Sequence, residues 1–151
     1  MRTLIQRVQH ASVTIDGQLK SKIGKGLLVL VGIEDRDTQE DIEWLCKKIA
    51  NLRIFDDENG VMNRSVVETE GEVMVVSQFT LYADCRKGNR PSFIKAGAPQ
   101  MAESLYKHFM ERCGTHVDVV EKGRFGADMK VELLNDGPFT LMLDSQELFG
   151  E

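Results

Sequence analysis

A chain of 151 residues, 42% hydrophobic and 28% charged with only 3 prolines, has the size and composition of one folded domain, which excludes a disordered or low-complexity protein. A formal net charge of −5 excludes a broad basic face that coats nucleic acid, and no apolar run approaches the length of a membrane span. Cys46, Cys85 and Cys113 are too widely spaced for a disulfide framework or a zinc knuckle, so they read as reduced thiols of a cytoplasmic protein.

Residues 3–15 alternate loosely and predict a strand, Gly17 a turn, and residues 18–23 a second strand. Residues 27–33, "LLVLVGI", are apolar on both faces, as in a central strand covered from both sides. The period then changes to that of a helix, with Ile42, Leu45, Cys46, Ile49 and Leu52 on one stripe and Asp37 or Thr38 as its N-cap. "FDDENG" reads as a loop and "EVMVVSQFTLYA" as a second buried strand running to Ala83. Pro99 opens a second helix whose Ala102, Leu105, Phe109 and Cys113 share a face, with Gly114 placed to end it. Residues 116–120, 129–134 and 139–144 read as strands, the last two joined by the apparent turn "NDGPFT". The order ββ(βα)2βββ, with no internal repeat or linker, predicts one α+β domain spanning 1–151.

The chain lacks a G-x-S-x-G elbow, an H-E-x-x-H pair, a P-loop and a G-x-G-x-x-G fingerprint. His10, His108 and His116 are scattered, so no metal site is expected, and His108 falls on the polar side of its helix. Cys85 precedes cations that lower a thiol pKa, but "CRKGNR" is one residue too short for a cysteine-phosphatase loop. In a continuous strand Ser77 and Thr80 point to opposite faces, and no base accompanies Thr80 as a nucleophile. Arg86, Lys87, Arg90 and Lys95 form a basic loop on an acidic body, able to hold one or two phosphates.

"SQFTLYA" at 77–83 and "NDGPFT" at 135–140 together resemble the paired motifs SQFTLxA and NxGPxT of the D-aminoacyl-tRNA deacylases. The similarity extends through "MRTLIQRVQHASVTIDG", "GLLVLVGI", "KGNRPSF" and "GRFGADMKVELLNDGP", so it covers essentially the whole chain. It implies a three-layer α/β/β fold with a barrel-like sheet and two helices, and a cytoplasmic homodimer with its site at the subunit interface. The implied reaction is hydrolysis of the ester between a D-amino acid, or glycine, and the terminal adenosine of a tRNA. No cofactor, membrane or DNA partner is implied.

By the same resemblance, Ser77, Gln78, Phe79 and Thr80 form the catalytic segment, with water rather than Thr80 as the attacking group. Gly137 and Pro138, joined by a cis bond, reject L-amino acids with their carbonyls from the partner subunit, supported by Arg7, Asn135 and Thr140. Phe125 and Met129 surround the adenosine, although packing into the core is an alternative for both. The basic loop meets tRNA phosphates. A second functional class stays open at this point, a non-catalytic binder of tRNA 3′ ends or nucleotides that uses the same pocket.

Overall fold

The computed structural model describes residues 1–150. Its organising element is β1 (Arg2–Ile15), which pairs along both edges. One edge carries β8 (Lys130–Asp144) antiparallel over almost the whole length. The other is divided: β3 (Gly26–Gly32) takes the first half of β1 and β2 (Gln18–Ile23) the second, both antiparallel. Beyond β3 lie β6 (Glu72–Ser77) and then β7 (Val120–Lys122), each parallel to its neighbour. Parallel neighbours need crossovers, which α1 (Gln39–Asn51) and α2 (Pro99–Cys113) supply. The Ser21 hydroxyl donates to the Lys122 carbonyl at 2.7 Å, so β2 meets β7 and the sheet curls into a nearly closed barrel.

Alternation along the central strands produces two cores. Leu27, Val29 and Val31 of β3 and Val73 and Val75 of β6 pack with Ile42, Leu45 and Ile49 of α1 and Phe109 of α2. Leu28, Met74 and Val76 point the other way, into the barrel, where Val8, Ala11, Val13, Ile15 and Ile23 meet them. The result is the three-layer α+β architecture expected, with the doubly apolar strands in the middle. The α1 N-terminus is capped at Thr38, whose amide donates to the Asp41 carboxylate at 2.8 Å. Tyr106, outside the predicted stripe of α2, is buried, and its hydroxyl donates to the Val75 carbonyl at 2.8 Å.

Several expectations are overturned. "FDDENG" is not a plain loop but part of a small hairpin, β4 (Phe55–Asp56) and β5 (Met62–Arg64), whose turn is organised by the Asp57 carboxylate accepting from the Asn59 and Val61 amides. Residues 116–119 are not strand: the His116 and Val117 amides both donate to Cys113 O at 3.0 Å, prolonging the end of α2 as turns. Gly114 keeps a right-handed φ of −64°. A third helix, α3 (Ser145–Phe149), follows β8, with the Asp144 carboxylate accepting from the Gln146 amide. The largest departure is at "NDGPFT", where the chain does not reverse at all. Residues 130–144 form one strand, and both of its halves pair with β1.

No helix among the described residues is long and apolar enough to cross a membrane. Gly26, at the start of β3, lies so close to β6 that a Cβ would stand 1.7 Å from the Glu72 carbonyl oxygen. Gly26→Ala therefore forces β3 and β6 apart, and urea unfolding should show a loss of about 3 kcal/mol or more.

Candidate active site

The segment 135–140 is a wide bulge. Thr140 stands opposite Gln6 and Asn135 opposite Val8, so residues 136–139 occupy the space across from Arg7 alone. Around this loop-out the polar groups are satisfied locally. Asn135 Oδ1 accepts from the Phe139 amide at 2.6 Å, while its Nδ2 donates to the Phe139 carbonyl at 3.1 Å and to Thr140 Oγ1 at 3.0 Å. Arg7 Nε donates to the Asp136 carbonyl at 2.9 Å and its Nη1 to the Ile54 carbonyl at 2.6 Å, with the guanidinium 5.1 Å from the centre of the Phe139 ring. The Gly137–Pro138 bond is cis and both residues are exposed. Gly137 has a φ of +156°, and a Cβ there would lie 2.6 Å from the Phe139 amide nitrogen, so only glycine fits. Arg7 and Asn135 thus fix the base of a protrusion whose tip faces outward.

The other motif does not continue as a strand. β3 ends at Gly32, the ladder to β6 stops at the Val31–Ser77 pair, and the Gln78 amide donates to the Val31 carbonyl at 2.7 Å. The chain then folds over the end of β3 as a 3-10 turn at Phe79–Tyr82. Gly32 makes room for it: a Cβ would stand 3.0 Å from Leu81 Cβ and 3.1 Å from Gln78 O. Arg2 holds the turn from below, donating to the Leu81 carbonyl at 2.9 Å and to Asp144 at 3.1 Å. Ser77 and Gln78 are half-buried, Phe79 and Thr80 exposed, and the Gln78 amide nitrogen is bonded to the Thr80 hydroxyl. The predicted opposite-face arrangement of Ser77 and Thr80 does not apply to a turn.

Beside this turn opens a cleft of about 660 Å³. Ser77, Gln78 and Phe79 form one side, and Phe125 and Met129, both half-buried, another. The cleft contains three wall components that sequence reasoning missed: Phe93, the Ala96–Ala98 connection, and Pro99 and Ala102 at the start of α2. The Phe79 and Phe93 rings meet edge to face at 5.1 Å, leaving both partly exposed at the rim. The "RPSF" segment was in view, but one aromatic within a basic loop gives no sign that it turns inward.

None of residues 135–140 lines the cleft, so one chain does not bring the two motifs together there. Arg7 and Asp136 border a separate groove of about 960 Å³ with mixed charge, on the bulge side. In the basic loop Arg86 is bonded to Asp84 at 2.7 Å and Lys95 lies 3.7 Å from the same carboxylate. The Arg86 hydrogen bonds hold the Asp84 carboxyl well below the usual carboxylate range. Among the described residues Lys87 and Arg90 form no ion pair, and no cluster of three metal-ligating side chains occurs.

Comparison with known proteins identifies the family and the fold. The family model described as D-Tyr-tRNA(Tyr) deacylase matches residues 4–144. A D-aminoacyl-tRNA deacylase of Parabacteroides distasonis is 73% identical over 147 residues, 97% of this chain and 98% of its own. One of Thermosipho africanus is 53% identical over 149 residues, 99% of this chain and 100% of its own. A solved structure described as c-Myc DNA Unwinding Element Binding Protein superposes with a TM-score of 0.90 at 42% identity, covering 95% of this chain and 98% of that one. A structure of a probable eukaryotic D-amino acid tRNA deacylase, 19% identical, superposes with a TM-score of 0.80 over 94% of this chain and 97% of that one, and so shares its fold.

The Asn135 side chain is the bulge's internal clasp, so Asn135→Ala should leave the Phe139 amide without its acceptor. Amide hydrogen exchange should show Phe139 exchanging about fivefold faster, a loss of roughly 1 kcal/mol of local protection, while Val29 and Val75 in the central strands stay unchanged.

Proposed function

The chain belongs to the D-Tyr-tRNA(Tyr) deacylase family, and we propose that it hydrolyses the ester joining a D-amino acid or glycine to the terminal adenosine of a tRNA. The observation that carries the reading is the separation of the two motifs: an open cleft at Ser77–Phe79, and an exposed Gly137–Pro138 tip that does not reach it. A second copy of the chain supplies the missing half, its tip entering the cleft of the first. The outer edge of β8 supports such a pairing. β8 is hydrogen-bonded to β1 alone, which leaves the backbone of its outer edge open to association, and Leu134 and Met142 on it are 51% and 46% exposed.

An aminoacyl ester is already activated, so hydrolysis needs a positioned water and a place for the developing oxyanion more than a strong acid–base pair. Water adds to the carbonyl carbon, the bond to the ribose oxygen breaks, and that oxygen leaves as a hydroxyl after taking up a proton. The first bond of the 3-10 turn is Leu81 N–H to Gln78 O, so the turn's own bonding leaves the Phe79 and Thr80 amides free to serve as donors to the oxyanion. Thr80, bonded to Gln78, orients rather than attacks. Phe125 and Met129, with Phe93 and Phe79, give the adenine apolar and aromatic surfaces to stack on. Lys87 and Arg90 meet phosphates of the acceptor end.

The partner's Gly137 and Pro138 carbonyls confront the substrate's α-carbon. A D side chain or a hydrogen is accommodated and an L side chain collides, which is discrimination by exclusion. Incubated with D-Tyr-tRNA, L-Tyr-tRNA and Gly-tRNA, the protein should release the D-amino acid and glycine while sparing the L-ester by about a thousandfold, a difference of roughly 4 kcal/mol. D-ester that survives excess protein would leave only a binder of tRNA ends. Gly137→Ala should lower kcat/KM for D-Tyr-tRNA about 100-fold by displacing the carbonyls. Thr80→Ala should keep most of the turnover, and its complete inactivation with folding intact would give the hydroxyl a chemical role.

A further inference from the structure

Two thiols that the deacylase reading leaves unused face each other between the helices. Cys46 of α1 and Cys113, the last residue of α2, place their sulfurs 3.3 Å apart, and the residues are only 2% and 4% exposed. The Cys46 sulfur also lies 3.4 Å from the Phe109 carbonyl, an acceptor for its S–H. The Cys113 contact and burial push the Cys46 thiol up, keeping it neutral and slow to react while the helices stay packed. A disulfide spans about 2.05 Å, so the sulfurs need approach by only about 1.2 Å, within the reach of a small side-chain or helix adjustment.

We propose that Cys46 and Cys113 are an oxidative modification site, at which a peroxide converts the facing thiols into a disulfide that staples α1 to α2. Cys113 is attacked first, because a helix end opens more readily than its middle. Its thiolate takes one peroxide oxygen, the O–O bond breaks, and a sulfenic acid and hydroxide form. The Cys46 sulfur then attacks the Cys113 sulfur, the S–O bond breaks, and the departing hydroxide leaves as water with the thiol proton. In sum two thiols and one peroxide give one disulfide and two waters. The cross-link joins positions 67 residues apart and encloses β6 and the cleft-lining connection, so it restricts the unfolded chain strongly. This inference rests on the helix packing and is independent of the deacylase reading.

The test uses the full-length Cys85→Ser protein, since Cys85 is exposed and would compete for oxidant. After treatment with hydrogen peroxide, unfolding and alkylation, mass spectrometry should show the loss of two hydrogens, no alkylated cysteine, and a linked peptide pair containing Cys46 and Cys113. The thermal midpoint should rise by roughly 5 °C or more and fall back on treatment with dithiothreitol. Cys113→Ala in the same background should show neither change. Both thiols still alkylated after oxidation in mild urea, oxygen adducts on Cys113 without the linked peptide, or a cross-link that brings no stabilisation would each overturn the proposal.

Discussion

The structure depends on one backbone constraint, that the 14-residue β1 is paired on both edges over most of its length while three different strands share those edges. Buried amides and carbonyls must find partners, so the lengths and positions of β2, β3 and β8 are set by β1. Its own side chains serve two cores. Ile5 faces the helices, whereas Val8, Ala11, Val13 and Ile15 face the barrel interior. Simple alternation would send Val8 and Ala11 to opposite faces. The extra residue at Gln9, where the register to β8 shifts between Val8 and His10, brings them to the same one. One strand can therefore be the floor of the helical layer at its start and the barrel wall at its end.

The same ladder builds the protrusion that carries Gly137 and Pro138. β8 pairs with β1 on either side of it, so the three surplus residues, four facing Arg7 where one would pair, have nowhere to go but outward. Arg7, the single residue facing the surplus, points its guanidinium at the carbonyls of Asp136 and Ile54. That bond ties the bulge to the connection after α1 as well as to β1. The protrusion is thus a product of pairing between strands distant in sequence and not of the turn-forming residues within it.

That origin explains what the sequence could and could not tell. Burial on both faces was legible at residues 27–31 and 73–76 because the signal lies in the segments themselves, and so was the stripe of α1. "NDGPFT" was misread as a reversal because Asn, Gly and Pro advertise a turn, while the partner that keeps the chain straight is 129 residues away, at Arg7. "SQFTLYA" was misread as strand through Ala83 because its alternation continues past the point where β3 runs out. The α3 helix had a readable local signal, Asp144 followed three residues later by Glu147, that the strand pattern before it obscured. The basic loop was read without Asp84, one residue before Cys85, which ties down two of its four cations. The motif residues themselves were recoverable only through family resemblance, since neither residue type nor spacing distinguishes an exposed carbonyl that acts from one that is merely solvated.

On the proposed reading, the use of backbone rather than side chain to reject L-amino acids follows from magnitudes. A thousandfold preference requires roughly 4 kcal/mol. A side chain placed to collide could swing about 30° off its rotamer for about 0.5–1.5 kcal/mol, so it would yield long before that limit. Moving the Gly137–Pro138 carbonyls instead strains the bonds that hold the bulge. These are the three made by the Asn135 side chain and the one from Arg7 to the Asp136 carbonyl. At about 1 kcal/mol each they resist together with some 4 kcal/mol. A filter of this stiffness needs no large residue at its tip, and glycine, which presents only backbone, is the residue that lets the carbonyls approach closest.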